Sequence, residues 1–156
     1  MDIFIDKIDK DILERLQEDA SISNLELSKK VDISPSACLS RTKKLREDGI
    51  IRQYTILADE RKLGIEMQAF ALVNLVSMKA GMIQSFMELV EGHPQIQECY
   101  TLTGSHDYLL KIVARDTQAY RDFVIHSLTA NPAVDSVETL VVLGVEKRTT
   151  AVPIAA

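Results

Sequence analysis

The chain has 156 residues, 46% hydrophobic and 26% charged, which suits one large domain or two small ones of ordinary globular composition. No apolar run approaches the ~18 residues that a membrane helix needs. The acidic start, Met1-Asp2-Ile3-Phe4-Ile5-Asp6, lacks the basic-then-apolar pattern of a secretory signal, so a cytoplasmic location is expected. Cys38 and Cys99 stand far apart with no Cys/His ligand spacing, which argues against a disulfide framework or a zinc site. The formal net charge of −5 is unevenly spread: residues 29–54 carry seven basic and three acidic side chains. A local basic segment on an acidic protein is suited to binding phosphate there while the rest stays soluble.

Ile5, Ile8, Ile12 and Leu16 recur at helical spacing and predict a first helix over residues 6–18. Ser23 with Glu26 three residues on is a capping box, and predicts a second helix over residues 24–31. Ser34 is a good N-cap and Pro35 suits the first helical position, so a third helix is expected from there to about Asp48. Cys38, Thr42 and Leu45 fall on its inner side. Ser36, Ala37, Ser40, Arg41, Lys43 and Lys44 are left on or near its outer side, and Gly49 is the expected stop. Residues 50–56 read as a strand, either a wing or the start of a linker.

The pattern then changes. A mainly apolar strand is predicted at 67–76 and a helix at 82–91, on the spacing of Ile83, Phe86, Met87 and Val90. Strands at 96–103 and 108–114 flank a tight loop at 104–107. A helix capped by Thr117, with Tyr120, Phe123, Val124 and Leu128 in one stripe, precedes a last strand at 134–145. The order βαββαβ is that of the ferredoxin-like split βαβ arrangement. The fold class is therefore α+β: a three-helix, winged helix-turn-helix domain over residues 1–58, then a ferredoxin-like domain over 59–156. Phe70, Leu72, Leu110, Ile112, Leu140 and Val142 cannot all point at two helices, so a second subunit is expected to cover the other sheet face.

In a helix-turn-helix the second helix of the motif enters the major groove of double-stranded DNA. Its entry needs small or polar residues, followed by Arg or Lys for guanine edges and phosphates. Ser34, Pro35, Ser36, Ala37, Ser40, Arg41, Lys43 and Lys44 meet that requirement, with Arg52 and Tyr54 reaching the backbone from the wing. A solvated basic helix face is the bland alternative. An enzyme using His106 and Asp107 as an acid–base pair is the competing reading, but no nucleophile, metal cluster or phosphate loop accompanies them, and no catalytic or metal-binding residue is assigned. A ligand-binding module that no longer reads DNA would show a damaged third helix, and this helix is intact.

These segments together resemble the Lrp/AsnC family, the feast/famine regulators of bacteria and archaea. The resemblance rests on Ile8-Asp9-Lys10-Asp11-Ile12-Leu13, the run Ile22-Ser23-Asn24-Leu25-Glu26-Leu27, Ile33-Ser34-Pro35-Ser36-Ala37-Cys38, Arg41-Thr42-Lys43-Lys44-Leu45 and Gly49-Ile50-Ile51-Arg52-Gln53-Tyr54. In the second domain it rests on Leu63-Gly64, Glu98-Cys99-Tyr100, Thr103-Gly104 and Asp107-Tyr108-Leu109-Leu110. The resemblance implies a ferredoxin-like effector domain, often called the RAM domain, dimers that often build octamers, and free amino acids as effectors. It also implies control of amino-acid metabolism genes, and no cofactor. It places the effector on Leu102, Thr103, Gly104, Ser105, His106, Asp107 and Tyr108, with Leu140, Val141 and Val142 lining the pocket and an adjoining subunit contact. The chain departs from the family pattern twice. Asp32 stands where glycine is common in the motif turn, and Ser105-His106 where an acidic and an aromatic residue are frequent.

Overall fold

A computed structural model describes residues 5–155; residues 1–4, the first part of the acidic start, lie outside it, as does residue 156. The chain divides into two compact units, one of residues up to 57 together with residues from 147 onward, the other of residues 58–146. The tail after 147, expected with the second domain, therefore belongs to the first unit. There the side-chain amide of Gln17 both donates to the Val152 carbonyl (3.1 Å) and accepts from its N–H (2.6 Å). Ile154 packs against the core of that unit. No helix among the described residues is long and apolar enough to cross a membrane.

The first unit is built on three helices, α1 (Lys7–Glu18), α2 (Asn24–Lys30) and α3 (Pro35–Glu47). Each begins at an acidic or hydroxyl N-cap that satisfies an orphan N–H: Asp6 for α1, Ser23 for α2 and Ser34 for α3. Their shared core is Ile12, Leu13, Leu27, Val31, Cys38 and Leu45. Asp32 adopts a left-handed backbone (φ 54°) in the turn between α2 and α3. Asp is among the few side chains that tolerate this conformation, so the glycine common at this position is dispensable. Gly49 (φ 75°) ends α3 and lets the Ile50 N–H return to the Leu45 carbonyl at 2.9 Å. The strand expected over residues 50–56 does not form. A strand needs a partner ladder, and among the described residues nothing pairs with this segment; Ile56 and Leu57 stay exposed.

The second unit carries β1 (Met67–Leu75), α4 (Ala80–Gly92), β2 (Ile96–Thr101), β3 (Tyr108–Ala114), α5 (Thr117–Phe123) and β4 (Val134–Val141). The helix of α5 widens into π-type turns over Val124–Leu128. The expected βαββαβ order is present, in one antiparallel sheet ordered β2-β3-β1-β4. Asp116, not Thr117, caps α5, accepting from the Ala119 N–H at 2.7 Å. β2 and β4 stop earlier than predicted, although one further bond, from Val142 N–H to the Gln68 carbonyl (3.0 Å), prolongs β4.

Alternation assigns the two sheet faces. Ala69, Ala71 and Val73 of β1 and Tyr108, Leu110 and Ile112 of β3 are buried in one core with Phe86 of α4 and Tyr120, Phe123 and Leu128. On the opposite face, register aligns Phe70 with Leu140 and Lys111, and Leu72 with Leu109 and Glu138. Leu110 and Ile112 thus point at the helices, while Phe70, Leu72 and Leu140 share the face that the helices leave uncovered.

Candidate DNA interface and effector loop

The first site is the outer side of α3. Ser34 accepts from the Ala37 N–H at 3.2 Å, and its hydroxyl lies 3.2 Å from that of Ser36. Asn24 at the start of α2 donates from Nδ2 to the Pro35 carbonyl at 2.8 Å, tying the first turns of the two helices together. Ser34, Pro35, Ser36, Ser40, Lys43 and Lys44 are exposed, and Ala37 is half-buried. Lys43 leans toward Glu47 (3.7 Å), whereas among the described residues Lys44 and Arg52 form no ion pair. The Arg46 guanidinium lies over the Tyr54 ring, 5.7 Å from its centre. Exposed Arg52 and Tyr54 therefore follow α3 on an unpaired segment rather than on a wing strand.

Arg41 differs from the placement expected of it. Its Nη1 donates to Asp6 Oδ2 (2.7 Å) and to Asp9 Oδ1 (2.8 Å), both at the start of α1. The two ion pairs and their hydrogen bonds raise the guanidinium pKa further above its ordinary value. The Asp9 N–H, followed by the Arg41 guanidinium, holds the Asp6 carboxyl below the usual carboxylate range. At about 100° per residue, Arg41 lies only about 60° from Cys38 at the centre of the inner side, and about 100° from Ser40. That angle could have been read from the sequence. Asp6 and Asp9, 35 and 32 residues away in the chain, were not legible as its partners.

The second site is the loop between β2 and β3. Leu102 N–H donates to the Asp107 carbonyl at 2.8 Å, and Gly104 adopts φ 113°, a conformation that side chains rarely take. Asp107 is tied to the end of β1: its N–H bonds the Val73 carbonyl and Asn74 Oδ1 (both 3.1 Å), and its Oδ2 accepts from the Leu75 N–H at 2.8 Å. Thr103, Gly104 and Ser105 are exposed. His106 is half-buried, with Nε2 3.6 Å from Glu138 Oε2 and with Nδ1 buried and unbonded. Tyr108 is not on the loop's surface; it is buried, its ring 4.7 Å from that of Phe86 in the core beneath the helices. Leu140 and Val142 lie two and four residues past Glu138, about 7 and 13 Å along an extended strand. Within one chain the loop thus meets Glu138 and Asn74, which the sequence did not single out, rather than the apolar end of β4. Among the described residues no group of acidic, His and Cys side chains is placed to hold a metal ion.

A family model for the Lrp/AsnC ligand-binding domain matches residues 68–152, and one for a winged helix-turn-helix DNA-binding domain matches residues 5–52. The chain belongs to the Lrp/AsnC family. It is 59% identical over 154 residues to the transcriptional regulator AzlB of Bacillus subtilis, covering 99% of this chain and 98% of that protein. It is 37% identical over 139 residues to the leucine-responsive regulatory protein of Escherichia coli, covering 89% and 85% respectively. Among solved structures it resembles a Neisseria meningitidis transcriptional regulator in complex with L-Met, with a TM-score of 0.93 and 36% identity over 96% of this chain and 97% of that one. E. coli AsnC gives a TM-score of 0.88 at 28% identity over 96% and 99%. The chain is thus a DNA-binding transcriptional regulator of the Lrp/AsnC type, with a ligand-binding second domain on the ferredoxin-like fold, and its relatives are regulators rather than enzymes.

Proposed function

We propose that this regulator binds specific sequences of double-stranded DNA in the cytoplasm as a dimer or a higher assembly such as an octamer. A free amino acid, bound at a subunit interface of the second domain, modulates it, and its targets are genes of amino-acid metabolism. The observation that carries the DNA reading is the exposed line of Ser34, Ser36, Ser40 and Lys44 on α3, set out by a left-handed turn at Asp32. In this reading Ser34, Pro35, Ser36, Ala37 and Ser40 meet base edges, while Lys43, Lys44, Arg52 and Tyr54 meet phosphates. The apolar sheet face carrying Phe70, Leu72 and Leu140 favours assembly through the sheet.

The effector reading is supported by the Neisseria relative, whose structure holds L-Met, and by the leucine-responsive relatives. In this chain the exposed Thr103-Gly104-Ser105 backbone offers N–H groups to a carboxylate. His106 and Asp107 flank it, Leu102 lies on the same loop, and Leu140, Val141 and Val142 are the apolar residues assigned to the pocket lining and to an adjoining subunit contact.

The test is a mobility shift with duplexes selected by the protein from a random pool, at several salt concentrations and with each of the twenty amino acids. Specific binding with a steep salt dependence is expected. One or a few amino acids should change affinity or assembly, and should raise thermal stability by mass action. No preference for any duplex sinks the DNA reading. No response to any amino acid in binding, mass or stability sinks the effector reading.

A further inference from the structure

We propose that Arg41 is the positioning residue of the recognition helix: it locks α3 onto the N-terminal cap of α1, and does not itself read DNA. This rests on the DNA-binding reading above and replaces the role that the sequence pattern gave to Arg41.

The geometry is specific. Asp6 and Asp9 form a reciprocal capping box at the start of α1, with Asp6 Oδ1 accepting from the Asp9 N–H (2.8 Å) and Asp9 Oδ2 accepting from the Asp6 N–H (3.4 Å). Each carboxylate gives its other oxygen to Arg41: Asp6 Oδ2 at 2.7 Å and Asp9 Oδ1 at 2.8 Å, both to Nη1. One oxygen of each acid therefore holds the helix end, and the other holds the neighbouring helix. Two carboxylates brought this close repel one another, and the cation between them turns that repulsion into a joint. Asp9 is the most buried of the three, with 16% of its side chain exposed, against 33% for Arg41 and 35% for Asp6.

The contact sits where orientation matters. Arg41 is one residue after Ser40 and three before Lys44, on the flank of α3 that faces α1. The buried anchors of α3, Cys38 and Leu45, lie on its inner side and are apolar, so they resist separation of the helices more than rotation of α3 about its own axis. A guanidinium nitrogen held from the flank by two fixed oxygens opposes that rotation. A turn of one residue, about 100°, would swing Ser36 and Ser40 off the groove entirely.

The experiment compares the intact regulator with Arg41→Gln, Asp6→Asn, Asp9→Asn and the Arg41→Gln/Asp9→Asn pair. Asn keeps a side-chain oxygen for the cap at both positions, so the acid variants lose the ion pair without losing α1. Binding to a selected duplex and to a random duplex is measured over a range of salt, below the temperature at which circular dichroism shows any variant unfolding. For a positioning residue, all three single variants lower the selected-to-random affinity ratio, by about tenfold, and the double variant is no worse than either single one. The log-affinity versus log-salt slope of Arg41→Gln stays that of the wild type.

A residue in direct contact with DNA behaves oppositely. Removing Asp6 or Asp9 would free it and strengthen binding, and Arg41→Gln would reduce the slope by about 0.9 if a phosphate contact were lost. Either of those results overturns the proposal, as does an unchanged affinity ratio in all variants. A wild-type protein that selects no duplex at all would instead sink the DNA reading on which the proposal stands.

Discussion

The sharpest test of the loop between β2 and β3 as the proposed effector site is Asp107, because the structure gives its carboxylate a local task. Asp107 Oδ2 accepts from the Leu75 N–H at 2.8 Å, at the last residue of β1, where the ladder to β4 is already irregular. Asp107→Ala leaves that N–H, beside a Leu75 that is only 8% exposed, without its partner. A lost hydrogen bond to a charged group costs about 1.5–3 kcal/mol. For a unit of this size each kcal/mol corresponds to about 4–8 °C in Tm, so about 2 kcal/mol lowers Tm by roughly 8–16 °C. Asp107→Asn keeps an acceptor for Leu75 and loses only the charge, so about 0.5–1 kcal/mol is expected. The assay is thermal unfolding of both variants, followed by the amino-acid response of the Asn variant. A stable Asn variant that no longer responds assigns the charge to the ligand, while a stable and responsive one assigns Asp107 to the fold alone. An Asp107→Ala protein that melts with the wild type would refute the reasoning, since the Leu75 bond would then contribute nothing.

Phe86 is fully buried with its ring tilted against that of Tyr108, so Phe86→Ala should cost about 3–5 kcal/mol and, in a denaturant titration, lower the midpoint with little change in slope. The Asp116 carboxyl is lowered first by its bond from the Ala119 N–H and then by Arg115, so it stabilises the folded unit above the ordinary carboxylate range. That contribution is lost as pH falls through the lower, folded value. Melting curves from pH 7 down to 3 should therefore fall more steeply for the wild type than for Asp116→Asn, and parallel curves would rule the linkage out. Burial pushes both the Cys38 and the Cys99 thiol up, so neither is appreciably ionised at neutral pH. Alkylation by iodoacetamide at pH 7 should be slow for the native protein and rapid after unfolding, Cys38 being the slower of the two; fast native labelling of Cys38 would contradict its burial.

What the sequence disclosed was local. The capping box at Ser23 and Glu26, the Ser34-Pro35 entry and the Gly49 stop each act within one turn, and all three lie where they were expected. The βαββαβ order followed from periodicity, because one buried face per strand leaves a two-residue rhythm and one buried stripe per helix a slower one. What stayed hidden depends on distant partners. Arg41 reads as a basic residue of an outward helix until Asp6 and Asp9 are placed beside it, and Asp107 reads as a turn residue until the end of β1 arrives. The family resemblance gives Tyr108 to the effector, yet the alternation of β3 sends it into the core. Residues 50–56 have the composition of a strand but, among the described residues, no neighbour to pair with, and composition alone cannot supply one.

The return of the tail to Gln17 means that the first unit is discontinuous along the chain. A ribosome delivers its three helices early, but the piece that meets Gln17 and the helical core comes more than ninety residues later, about five seconds at twenty residues per second. During synthesis the reading head therefore waits with one flank uncovered until the ligand-binding unit has already emerged. Trimming a few residues from the far end should consequently be felt at the near one, as earlier melting of the three-helix head while the sheet keeps its own stability.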